Sequence, residues 1–179
     1  SIGYAAPGSV IAVGLLAPLA WTDNALDAWA REALGVSTGL LLTGSVAGLL
    51  LAYLSRFMAA ALNAVSAGFE SVRPNLDSSA RVLGCDVWGV VARVHAPMLR
   101  GSLLTAALIV FVDVTKELPA TLMLRPFDFD TLAVQAHRLA SDERLVESAI
   151  PSLAVAAAAM APVLLLARSI RRSRPGGEG

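Results

Sequence analysis

The sequence predicts an all-α integral membrane protein: about four transmembrane helices, with a polar helix–turn–helix between the second and third. Three observations predict it. Of 179 residues, 56 % are hydrophobic and 16 % charged, against about a quarter charged in an ordinary soluble domain. Four apolar runs, 2–20, 36–58, 98–118 and 148–167, reach or approach the roughly 20 residues that a bilayer-crossing helix needs. An arginine-bearing polar stretch, 70–97, separates the second run from the third.

The first run carries Pro7 and Pro18 and the last carries Pro151 and Pro162. Membrane helices tolerate such prolines where neighbours re-satisfy the backbone. The second run carries Gly35, Gly39, Gly44 and Gly48, two G-x-x-x-G spacings that let helix backbones approach closely. They are read as packing positions, and the alanine-rich stretch 154–161 is read in the same way. Residues 1–168 form the membrane domain in this reading, and 169–179 a solvated, disordered tail. Apolar sequence begins almost at Ser1, with no charged leader or clear cleavage site. The expectation is the C-terminal part of a longer protein, with further helices upstream.

Charge placement predicts orientation. With four spans, Arg56, Arg73, Arg81, Arg93, Arg100, Arg168, Arg171, Arg172 and Arg174 share one side with the 70–97 segment. Arg31, Lys116, Arg125, Arg138 and Arg144 lie opposite, among many acids. Excess Lys and Arg marks the cytoplasmic side, so the 70–97 segment and the C-terminus are predicted to be cytoplasmic.

Several classes of function find no support. Net charge is zero and no basic run is interleaved with aromatics, so nothing suggests nucleic acid. The only lysine, Lys116, precedes Glu117, so no G-x-x-x-x-G-K-[ST] phosphate loop can form. A membrane-embedded enzyme would need a nucleophile with a base, or paired metal ligands. His95 and His137 fall on opposite sides, H-E-x-x-H is absent, and the single cysteine, Cys85, has no evident activating partner. No catalytic or metal-ligating residue is assigned.

The third run ends in charge. Asp113 is followed by Lys116 and Glu117, and at these spacings all three project from one side of a helix. Two readings stand: Asp113 and Glu117 line a translocation path that favours cations, or they pair with Lys116 and fix the helix end. Charges at membrane depth default to one of these roles. The connection 120–147 carries Arg125, Asp128, Asp130, His137, Arg138, Asp142, Glu143 and Arg144. Within it Leu132, Gln135, Ala136 and Leu139 suggest a short amphipathic helix.

In the 70–97 segment, Val87, Val90, Val91 and Val94 recur at i, i+3, i+4 and i+7. That spacing gives a helix over about 85–95 with one apolar stripe, Trp88 flanking it and Asp86 and Arg93 off it. Asp77 and Ser78 suit the cap of an earlier short helix. Gly84 permits the turn between the two, and Pro97 suits the first turn of a following helix. The exposed apolar face fits a partner's groove or, alternatively, a lipid surface.

The string SSARVLGCDVWGVVARVHAP, residues 78–97, resembles the EAA loop of permease subunits in bacterial binding-protein-dependent ABC importers. Small residues at 79 and 80, Gly84, then nine residues and Val94-x-Ala96-Pro97 carry the likeness. The family's leading glutamate is Ser78 here and its first alanine Ser79; Asp77 lies one position too early. The resemblance implies that Ser78, Ser79, Ala80, Gly84, Val94, Ala96 and Pro97 couple the chain to an ATPase. KELPATLMLRPFDFDTLA (116–133) and LASDERLVESAIP (139–151), with GYAAPGSVIAVGLL (3–16), are similar to ferric-iron importer permeases. That resemblance implies a permease of two similar halves, of which this is the last third. Its implied partners are ABC ATPase subunits, a periplasmic binding protein delivering chelated ferric iron, an upstream permease half or second copy, and inner-membrane lipid. ATP would be bound by the ATPase, with no cofactor in this chain. Related permeases carry other cargo, such as thiamine or a phosphonate. A passive channel or scaffold would need no coupling loop.

Overall fold

A computed structural model describes residues 6–70, 72–73 and 75–173, and every regular element among them is helical. In chain order these are α1 (Gly8–Leu34), α2 (Val46–Phe69), α3 (Asn75–Val82), α4 (Val87–Thr115), α5 (Pro119–Leu124), α6 (Leu132–Ser141) and α7 (Leu145–Ser173). Helices α1, α2 and α4, and residues Leu145–Leu164 of α7, are long and apolar enough to cross a membrane. Only 11–22 % of the most apolar stretch of each is buried, so most of this apolar surface faces outward. An outward apolar surface of that extent needs lipid or partner helices to cover it.

The four predicted spans correspond to these four helices, with shifted boundaries. Residues 2–5 of the first span and 174–179 of the tail lie outside the described residues. The first helix continues to Leu34 instead of stopping near 20. At 1.5 Å per residue its 27 residues extend about 40 Å, more than a hydrocarbon core of about 30 Å. The second helix starts at Val46, not 36. Gly35, Gly39 and Gly44 all have φ between 62° and 67°, a left-handed conformation that glycine adopts without penalty. These three glycines are therefore turn residues, and of the four only Gly48 lies within α2.

What holds the 35–45 turn is a pair of aspartates on α1. Asp23, 1 % exposed, accepts the backbone N–H groups of Leu41, Leu42 and Thr43 at 3.1, 2.8 and 2.8 Å. Asp27, one helical turn later, accepts from Thr38 N–H, Gly39 N–H and the Ser37 hydroxyl at 2.8–3.1 Å. Its other oxygen pairs with Arg31 at 2.6 Å. Backbone donors that a helix would have used internally are satisfied by carboxylates instead.

The chain divides into two compact units, Ser1–Ala59 with Val112–Gly179, and Ala60–Phe111. In the first, α1 packs on α5 and α6 on α7. Its core joins Ala12 and Leu19 of α1, Leu49 and Ala52 of α2, and Ala120 and Leu124 of α5. Small residues set the spacing: a Cβ on Gly48 would lie 2.3 Å from the Leu42 carbonyl oxygen. The second unit holds the end of α2, then α3 and most of α4. There a Cβ on Gly68 would lie 2.1 Å from the Ser102 hydroxyl and 3.2 Å from Leu99.

Candidate functional site

The described part of the 70–97 segment holds helix α3, a turn and the start of α4. Gly84, at φ 84°, is the residue that ends α3. The Cys85 N–H reaches back to the Ala80 carbonyl and the Gly84 N–H to that of Arg81, both at 3.0 Å. This paired closure, with glycine at the left-handed position, satisfies carbonyls that a helix end would otherwise leave free. Asp86 then caps α4, its carboxylate accepting the Gly89 N–H at 2.9 Å. Gly89 suits that cap, because a Cβ there would lie 2.8 Å from the same oxygen. Periodicity shows Asp86 only as a residue off the apolar stripe; the D-x-x-G spacing is the signal that marks it as a cap.

At the apex Val82, Leu83, Val87 and Trp88 are 64–86 % exposed. Of the predicted stripe, only Val90 is buried; Val87 and Val91 are exposed and Val94 is half-buried. Of the residues the resemblance singles out, Ser78, Ser79, Gly84, Ala96 and Pro97 lie at the surface or partly so, while Ala80 is buried.

Two expectations change. Pro97 does lie in the first turn of the α-helical segment Ala96–Thr115, but that segment does not start afresh: it continues from Val87–Val90 through a wide π turn at Val91–His95. The Ala96 N–H bonds the Val91 carbonyl, five residues back. Pro97 donates no N–H, and in a regular helix its ring would press on the carbonyl of Arg93. The wide turn just before it absorbs that misfit. Nor does Asp77 cap α3, which already begins at Asn75. Its carboxylate instead meets His95 Nε2 at 3.0 Å, and the imidazole lies 5.3 Å from the Phe69 ring. His95, isolated along the sequence, thus ties α3 to α4.

The charged end of the third span is resolved into two separate pairs within the first unit. Lys116 Nζ meets Asp113 Oδ1 at 3.0 Å. Glu117, 6 % exposed, meets Arg56 Nη1 of α2 at 3.2 Å. The same Glu117 oxygen accepts the Ala120 N–H at 3.3 Å, at the start of α5. Thr121 donates its hydroxyl to the Glu117 carbonyl at 2.9 Å and lies 2.6 Å from the Tyr53 hydroxyl. Arg56, which charge placement groups with the arginines of the 70–97 side, lies ten residues into α2. Its guanidinium is also 5.5 Å from the centroid of the neighbouring Phe57 ring. Gly8 underlies this pair: a Cβ there would fall 2.1 Å from Arg56 Nη1 and 2.3 Å from Glu117 Oε1. The role of Gly8 and the Arg56 partnership carry no pattern in the sequence, because the three residues come from distant parts of the chain.

In the 125–144 connection, Asp130 pairs with Arg125 and, at 2.9 Å, with Arg138. Thr131 caps α6 through the Val134 N–H at 3.3 Å. The expected short helix is present, and its buried residue is Val134. His137 is exposed. Among the described residues, no three His, Cys, Asp or Glu side chains gather as a metal-holding group. Comparison of the chain with protein-family models, with curated proteins and with solved structures finds no match.

Proposed function

We propose that this chain is a membrane-spanning permease subunit of an ATP-driven importer, with the 75–97 helix–turn–helix as its contact to a separate ATPase. The observation that carries the reading is the apex around Gly84. A short helix, a glycine-closed turn and a capped second helix hold Val82, Leu83, Val87 and Trp88 outward, in the segment whose residues 78–97 have the importer-loop spacing. An apolar projection on rigid helices, continuous with a span-length helix, can transmit a partner's movement into the membrane. The ATPase state then biases a two-state membrane element. The chain itself performs no hydrolysis in this scheme. Orientation follows the arginine excess, with the apex and the C-terminus on the cytoplasmic face of a bacterial inner membrane.

The cargo proposed is ferric iron, delivered as a chelate by a periplasmic binding protein; this rests on the likeness of residues 116–133 and 139–151. Another small solute is the second reading. It is favoured by the pairing of Asp113 with Lys116 and of Glu117 with Arg56, which gives both candidate carboxylates cationic partners within the chain.

Labelled ferric-iron uptake by cells with the ATPase and binding protein, against an ATPase-dead control, tests the proposal. ATP-dependent accumulation supports it in full. A complex that assembles and hydrolyses ATP without taking up iron keeps the importer and discards the cargo. Failure of any ATPase to associate with the chain rejects the importer.

A further inference from the structure

Buried charge inside a span-length helix bundle is expensive. Replacing a buried ion pair by apolar residues is often neutral or stabilising, whereas removing one partner is strongly destabilising. An intramembrane pair therefore points to a role beyond holding the fold. Arg56–Glu117 is a partly buried pair of this kind, the Glu117 side chain 6 % and the Arg56 side chain 20 % exposed, and its geometry is informative. Three chain segments converge on it: α2 supplies Arg56, the α4–α5 junction supplies Glu117, and the N-terminal residue of α1, Gly8, leaves the space they fill. The glutamate is well held. It accepts from Arg56 and from the Ala120 N–H.

The arginine is less completely held. It meets Glu117 through one nitrogen, at 3.2 Å, and faces the Phe57 ring at 5.5 Å, but its Nε is buried without a hydrogen-bond partner among the described residues. Guanidinium–carboxylate pairs built for strength commonly engage two nitrogens in parallel. A buried, unsatisfied N–H carries its full desolvation penalty. Any movement that admits water, or gives Nε an acceptor, recovers that penalty and offsets part of the loss of the ion pair. The closed arrangement is thus strong enough to exist and incomplete enough to open.

We propose that Arg56–Glu117 is a releasable lock: Arg56 is a positioning residue that holds the α4–α5 junction against α2 in the resting state, and the pair separates during the transport cycle. The proposal rests on the permease reading. Glu117 in this scheme is a latch and not a cargo ligand. The resting lock keeps the membrane element from drifting into the state that stimulates the ATPase before loaded binding protein arrives.

The test uses the permease–ATPase complex reconstituted in proteoliposomes, carrying Arg56→Gln, Glu117→Gln or both. ATPase rate is read without and with cargo-loaded binding protein. Each single variant should raise the basal rate by at least about fivefold, the lower end of ordinary coupling between sites. The double variant should match the singles instead of multiplying them, because both remove one interaction. Arg56→Lys, which keeps the charge, should give an intermediate basal rate, and it is the variant to read if the Gln forms do not assemble. Basal rates within about twofold of the unaltered complex, or multiplicative effects in the double variant, overturn the lock. An unaltered complex whose ATPase ignores loaded binding protein overturns the permease reading itself, which separates that failure from failure of the lock.

Discussion

Single residues decide where this chain turns. Gly84 has open space around its Cα, so alanine there meets no neighbour and only the dihedral is penalised. A left-handed conformation costs a side-chain-bearing residue about 1–2 kcal/mol. Gly84→Ala should therefore loosen the α3–α4 turn and speed limited proteolysis there, with little effect on the first unit. Unchanged cleavage would mean that the glycine is dispensable. The same logic runs in reverse at Glu143, which closes α6 at φ 61° with the Arg144 N–H on the Leu139 carbonyl at 2.9 Å. Glycine suits that position, and Glu143→Gly should gain about 0.5–1 kcal/mol, the left-handed penalty less glycine's extra chain entropy. A thermal melt of the detergent-solubilised chain should rise; a fall would show that the Glu143 side chain contributes more than its strained backbone costs. At Asp23 the side chain carries three backbone N–H groups of the turn. Asp23→Asn should lower the melting temperature more than Ser37→Ala, which removes a single donor to Asp27. The reverse order would rule out the carboxylate as the turn's anchor.

At the scale of elements, the sequence is most legible where periodicity and length speak together. Four apolar runs became four helices, and the glycine between two short polar helical patterns became a left-handed turn. The boundaries are less legible, for definite reasons. Residues 36–45 read as apolar helix because Leu40, Leu41 and Leu42 lie there, but what decides their conformation is a pair of carboxylates 10 to 20 residues upstream. Hydropathy does not register an aspartate as the acceptor for someone else's backbone. The candidate site divides in the same way. Gly84 and the apex are visible because their chemistry is local. The Arg56 partner of Glu117, the His95 partner of Asp77 and the cradle at Gly8 depend on which helices meet, and no spacing along the chain records that. Pro97 is intermediate: a proline in this setting suits a helix start, whereas the π turn lets it sit inside one. Replacing a helix-interior proline should stabilise, by about 3 kcal/mol in a regular helix and by less where a wide turn already relieves it. Pro97→Ala should thus raise the melting temperature while letting the wide turn close into regular α-helix. If the wide turn serves coupling, cargo-stimulated ATPase should fall in the same variant. A stabilised variant with full coupling would mean that the π turn is structural only.

For the whole molecule the decisive quantity is what covers its exposed apolar surface. Two kinds of surface are present. One is spread along the span-length helices, with Val10, Val13, Leu50, Leu54, Leu153 and Val163 more than half exposed, as lipid or further helices would require. The other is compact and lies at a polar turn, where Val82, Leu83 and Trp88 are 78–86 % exposed beside Arg81 and Asp86. Lipid does not explain the second well, because the flanking charges would have to be desolvated with it. A protein groove would: it could bury a tryptophan at its centre and leave the rim charges in water, the usual anatomy of an interface. Trp88 makes the discriminating variant, since its ring is exposed and its removal should leave the chain's own packing intact. If the apex docks an ATPase, Trp88→Ala should weaken association by about 2 kcal/mol, the scale of an interface hot spot, or roughly thirtyfold in Kd. The melting temperature of the isolated chain should not change. Val163→Ala, exposed on α7, should leave the same Kd unaltered. Equal losses for the two variants would point to a general effect of apolar surface. No loss for Trp88→Ala would remove the apex from the interface, and with it the principal support for ATP coupling through this segment.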